Sequence, residues 1–88
     1  MKSYFMCSLC YKGLLGGTLI IDEEAVTFKT GKLTMPTRLR NLKLNRTDIR
    51  SLSWEQVVFP IAVFKMKNGE EYRFLVFNKG GFMEAYQQ

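Results

Sequence analysis

Residues 58–77, VFPIAVFKMKNGEEYRFLVF, decide how this chain is read. Asn68-Gly69 lies between two apolar, β-patterned runs, 58–67 and 70–77. Asn-Gly is the preferred centre of a two-residue type I′ hairpin turn, because both central residues need positive φ. With that turn, Lys67 pairs with Glu70 and Val63 faces Phe74. Ile61, Tyr72 and Val76 share their face, which reads as the core side. Phe64, Met66, Glu71 and Arg73 fall on the opposite side.

Upstream of the hairpin the pattern stays β. Residues 49–54 hold Leu52 and Trp54. Residues 38–44 alternate with a change of phase, Leu39 being odd and Leu42 and Leu44 even, so a break near Asn41 is expected. Residues 30–37 contain Gly31 and Pro36 and read as a loop. Val26 and Phe28 alternate with Thr27 and Lys29 over residues 25–29. Asp22-Glu23-Glu24 forms a turn after the β-branched run 18–21. Gly13, Gly16 and Gly17 read as a break after a first strand over residues 3–11. Downstream, Asn78-Lys79-Gly80-Gly81 interrupts the pattern. Phe82, Met83, Ala85 and Tyr86 then have helical spacing, with Asn78 as N-cap. The sum is a mainly β chain: about seven strands, then a short C-terminal helix.

The chain has 88 residues, a length that suits one domain, 1–88. With 47% hydrophobic and 24% charged residues it has a globular balance, and disorder is not expected. Histidine is absent, which removes Ser-His-Asp and Cys-His catalysis and His-ligated zinc. The longest apolar run, 57–64, is broken by Pro60, and a spanning helix needs ~20 apolar residues. The reading is a cytoplasmic protein with reduced thiols.

The net charge of +5 is a local feature. Seven of the 13 Lys and Arg residues fall in one segment: Lys29, Lys32, Arg38, Arg40, Lys43, Arg46 and Arg50. Only Asp48 opposes them there, a net of +6, and the rest of the chain carries −1. Clustered cations raise the local potential and attract anions, so these seven are the candidate anion- or partner-binding residues. An anionic membrane surface or an acidic protein patch would suit them, each base near such a membrane contributing ~1 kcal/mol. The bland alternative is a solvated face that keeps the protein soluble. No Phe, Tyr or Trp lies between Lys29 and Arg50, which argues against single-stranded nucleic acid, since that needs stacking platforms.

Other motifs carry less. Cys7-x-x-Cys10 is one pair with no histidine, whereas a closed zinc site takes four ligands. Inside a strand, residues three apart point to opposite faces, so the pair reads as two small hydrophobes. Asp22-Glu23-Glu24 reads as a solvated tip. Trp54 is either a partner anchor or, as aromatic strand residues more often are, a packed rim residue. No metal, cofactor or catalytic residue is expected.

Gly17-Thr18-Leu19-Ile20-Ile21 followed by Val26-Thr27-Phe28 resembles the opening hairpin of GRAM-type domains of the pleckstrin-homology-like superfamily. Leu44 with Asp48-Ile49 is similar to a later family segment, with extra residues inserted. Residues 64–77 resemble the family's late hairpin, and Phe82 onward takes the place of its terminal helix. The resemblance covers roughly residues 13–88 and rests on the order of weak motifs. It implies a barrel or strongly bent antiparallel sheet, a C-terminal helix over one end, and a non-enzymatic role in lipid or protein binding. The expected helix, only about three turns at ~5.4 Å each, is short for such a plug. A second expectation follows from that shortness and from the apolar first strand: homo-oligomerisation through an exposed strand edge or through the apolar N-terminal strand.

Overall fold

A computed structural model describes residues 2–10, 13–31, 40–56 and 58–87. Seven antiparallel strands form one sheet: β1 (Ser3–Cys10), β2 (Leu14–Ile21), β3 (Ala25–Lys29), β4 (Asn41–Asn45), β5 (Ile49–Gln56), β6 (Pro60–Met66) and β7 (Glu71–Val76). A single 3₁₀ turn, Arg46–Asp48, links β4 to β5, and helix α1 (Lys79–Gln87) follows β7. The strand order is β4-β3-β2-β1-β7-β6-β5, and the sheet does not close. It is nevertheless strongly bent. Phe28 on β3 and Phe74 on β7 stand three strand spacings apart, ~14 Å along a flat sheet, yet their ring centroids are 5.5 Å apart.

The bend gives the sheet an inner and an outer face. Leu19, Phe28, Leu44, Phe64, Phe74 and Val76 are buried on the inside. Helix α1 covers them with Phe82, which is fully buried. Its ring lies near Phe5, Trp54 and Phe64, at 5.9, 5.5 and 6.2 Å between centroids. The helix starts as expected at Asn78, whose Oδ1 accepts a hydrogen bond from the Gly81 amide at 3.1 Å. That satisfies one of the orphan donors of the first turn. No helix among the described residues is long and apolar enough to cross a membrane.

The Asn68-Gly69 hairpin forms, but its register differs by one residue from the expectation. Val63 pairs with Arg73 and Ala62 with Phe74. The Met66 amide donates to the Glu70 carbonyl, and the Gly69 amide donates back to the Met66 carbonyl. The turn therefore spans Lys67, Asn68 and Gly69, and glycine alone takes positive φ, at +95°. This is the three-residue hairpin in which a type I turn is followed by a left-handed glycine. The side-chain period of a strand is two, so a slip of one residue exchanges the faces. The expected inner residues of β7, Tyr72, Phe74 and Val76, do face inward. On β6 the inner set is Ala62, Phe64 and Met66 instead of Ile61 and Val63. Packing settles the choice, because Phe64 fills the space beside Phe74 and Phe82.

Three other expectations shift. Gly16 and Gly17 lie inside β2 and do not interrupt it. The apolar run before the hairpin begins its strand at Pro60, and Val58 and Phe59 are exposed ahead of it. β4 begins at Asn41; Leu39 and most of the expected 30–37 loop lie outside the described residues.

Gly17 has a packing reason. A Cβ there would lie 2.4 Å from the Lys29 carbonyl oxygen and under 3 Å from the Phe28 ring. One face of the strand touches backbone that cannot swing away. Gly16, on the outer face, has nothing within 4 Å of such a Cβ. Gly17→Ala is therefore expected to cost about 1–3 kcal/mol in urea unfolding. Gly16→Ala is expected to leave stability unchanged or slightly raised, since glycine is disfavoured within strands.

Candidate functional site

The structure separates the basic residues that the sequence groups. Lys29 and Lys43 are exposed on the outer face of adjacent strands, Lys29 opposite Asn41 and Lys43 opposite Thr27. They are diagonal neighbours, ~7–8 Å apart at the backbone. Arg40, half-buried, stands just before β4, and its carbonyl accepts from the Thr30 amide at 3.1 Å. Arg50 is exposed at the start of β5, where the pairing with β6 is irregular between Ile49 and Ser51. Lys32 and Arg38 lie outside the described residues.

Arg46 is committed to the fold. Its Nε donates to the Asp22 carbonyl at 3.0 Å and its Nη1 to the Tyr86 carbonyl at 2.8 Å. Its guanidinium carbon sits 4.6 Å from the centroid of the Tyr86 ring, within cation–π range. Its own amide donates to the Glu24 carbonyl. One side chain thus joins the β2–β3 turn, the 3₁₀ turn and the end of helix α1.

The acidic turn is built around Asp22. Its Oδ1 accepts from the amides of Glu24 and Ala25, both at 2.8 Å. Those two bonds hold the carboxyl below its ordinary range, and Lys2 and Lys43 add smaller attractions. This is the self-bonded turn that aspartate favours, in which both bonds serve the backbone.

Cys7 faces the core and Cys10 is half-buried on the outer face; both are free. Burial pushes the Cys7 thiol up to about 12, so at neutral pH it is an uncharged core group. Trp54 is half-buried and clasps the helix. Its Nε1 donates to the Met83 sulfur at 3.1 Å, and Lys79 Nζ lies 5.0 Å from its ring centroid. The rim reading of Trp54 describes this placement.

The concave features carry balanced charge. A cleft of about 350 Å³ between β4 and the β6–β7 hairpin has Lys43 and Lys67 on its walls, but also Asp48 and Glu70. A shallower groove beside it pairs Arg50 and Lys65 with Glu70 and Glu71. Among the described residues, no group of three or more Cys, Asp or Glu could share a metal ion. At the β3–β4 margin Lys29 and Lys43 stand exposed on adjacent strands, Lys43 also edging the first cleft and lying near enough to Asp22 to attract its carboxylate. Sequence reasoning found both residues, but chain proximity could not reveal that Arg46 turns inward and Arg50 sits on the far strand. No protein-family model, curated protein or solved structure matches the chain.

Two outcomes follow for the site. Arg46→Ala is expected to lower unfolding stability by about 2 kcal/mol, the scale of hydrogen bonds from a charged donor. Arg46→Lys should not restore it, because one ammonium cannot reproduce the forked geometry. Asp22 has a folded pKa below its unfolded one, so its contribution is present above the unfolded value and is lost as pH falls through the folded value. In thermal melts across the acid range, Asp22→Ala should show a shallower decline with falling pH than the parent chain.

Proposed function

We propose that the chain is a non-enzymatic binding module of the pleckstrin-homology-like, GRAM type, which meets an anionic partner through its β3–β4 margin. The observation that carries the reading is the pair Lys29 and Lys43, exposed on one face of adjacent strands. Seven antiparallel strands followed by a helix whose Phe82 fills the opening support the fold side of it. The partner is a surface rich in phosphate or carboxylate, such as anionic lipid head groups or an acidic protein patch. Arg46 is not a contact in this reading, because its donors serve the fold. Two free thiols, one of them in the core, suit the cytoplasm.

A second reading, self-association through a strand edge, rests on β4 and β5, each of which pairs on one side only among the described residues.

Vesicle sedimentation tests the first reading. At low salt the chain should be recovered with vesicles containing phosphatidylglycerol and not with pure phosphatidylcholine. The Lys29→Glu/Lys43→Glu variant should lose most of that recovery, its partition falling at least about thirtyfold, since two lysines at ~1 kcal/mol each contribute ~2 kcal/mol and the new carboxylates repel the surface further. Equal recovery on both vesicle types would discard the lipid partner. Unchanged binding of the charge-reversed variant to vesicles, and to a polyglutamate column as the acidic-protein arm, would discard the lysine pair altogether.

A further inference from the structure

The ladder register shows which backbone groups β5 leaves at its open edge. The Met66 amide donates to the Glu70 carbonyl, and Phe64 and Ala62 pair with Tyr72 and Phe74. Bonded and non-bonded pairs alternate along an antiparallel ladder, so Ala62, Phe64 and Met66 turn their backbone groups to β7. Ile61, Val63 and Lys65 turn theirs to β5, where they pair with Glu55, Ser53 and Ser51. The N–H and C=O groups of Leu52 and Trp54 therefore point out from the edge. Among the described residues β5 pairs with β6 alone. Leu52 and Trp54 pack on the core, yet both are only half-buried.

Native edges are commonly blunted by lysine, proline, short length or inward charge. β5 has eight residues, and from Ser51 to Gln56 it holds neither lysine nor proline. Its pairing with β6 is regular over that stretch, the one irregularity lying between Ile49 and Ser51.

We infer that β5 is a self-pairing edge: two copies of the chain join β5 to β5, antiparallel, about a two-fold axis at Ser53. The inference rests on the strand-edge reading above and narrows it to one edge and one register. In that register β5 is complementary to itself. Leu52 and Trp54 of one copy meet Trp54 and Leu52 of the other as hydrogen-bonded pairs, which covers the half-buried side chains. Ser53 meets Ser53, and Ser51 meets Glu55. Arg50 and Glu55 stand near opposite ends of the strand, so antiparallel pairing sets the arginine end of each copy beside the glutamate end of the other. Glu55 holds Arg73 through Oε1, and a carboxylate can accept a second cation at its other oxygen. A foreign strand would have to match both the apolar pair and the reversed charges, which a second copy supplies by symmetry. β4 is the poorer edge. Lys43 is the middle of its five residues, and a two-fold pairing centred there sets lysine on lysine.

Light scattering after size exclusion, on the full chain over a range of micromolar concentrations, should give a mass that rises toward twice the chain mass. Ser53 is exposed, so its variants should keep the far-UV spectrum of the parent. Ser53→Lys sets like charges across the axis and should hold the chain at the monomer mass. Under mild oxidation Ser53→Cys should form a disulfide-linked dimer, because non-hydrogen-bonded partners lie ~4.5 Å apart at Cα, within disulfide reach. Ser51→Cys, ~14 Å from its counterpart at four residues' offset, should not. The parent chain, with Cys7 and Cys10, is the background for both. A wild type that stays monomeric at high micromolar concentration overturns this inference and the strand-edge reading together. A wild-type dimer that Ser53→Lys leaves intact, or that Ser53→Cys links no faster than Ser51→Cys, overturns the β5 register alone and leaves the strand-edge reading to β4.

Discussion

The burial of Phe82 is the constraint on which the rest of the structure depends. A seven-stranded sheet that bends without closing leaves its inner face open along one side, and apolar side chains there would meet water. The Phe82 ring closes that opening. It touches Phe5 on β1, Trp54 on β5 and Phe64 on β6, so one side chain ties the middle of the sheet to its far edge. Fully burying such a side chain contributes about 1.5–3 kcal/mol, a large share of the stability of a chain this size. The helix that presents it has nine residues, too few to be stable alone. It holds because its face is packed, its start is capped by Asn78 and its end is fastened by Arg46.

That fastening explains why the basic segment divides. Positive charge on a short stretch of chain says nothing about direction. At the 3₁₀ turn the backbone brings Arg46 beside two carbonyl oxygens and an aromatic ring, and a guanidinium satisfies all three at once. On β3 and β4 the strand period places Lys29 and Lys43 outward, where ammonium groups stay hydrated. The same period places Tyr4 and Met6 outward on β1, where hydration is unfavourable, and so the outer face has both a charged margin and an apolar middle.

Much of this was legible along the chain. The count of strands, the terminal helix, the Asn78 cap and the inward face of β7 follow from period-two patterning and local turn chemistry. The face of β6 did not. Ile61-Ala62-Val63-Phe64 is apolar at every position, so periodicity cannot choose between its two sides. Asn-Gly supports both a two-residue and a three-residue turn, and the choice moves the register by one. The decision came from volume: Phe64 fits between Phe74 and Phe82, and Ile61 and Val63 are left for the outer side. Gly17 was misread for a related reason, because a glycine that marks a break in a sequence also permits close approach between strands, here to the Lys29 carbonyl.

The sequence by itself determined composition-level and local properties: a β-rich chain without histidine, a basic middle segment, a hairpin at Gly69 and a capped helix after it. These depend on nearest neighbours and on side-chain period, which are properties of the chain. Only the tertiary structure decided which side of β6 is the core, which arginine is a strut and which lysines stand together, and that Met6, Phe77 and Phe59 are neighbours on the outer face. Each of those is a contact between residues far apart in sequence, and it is set by how the bent sheet fills its interior.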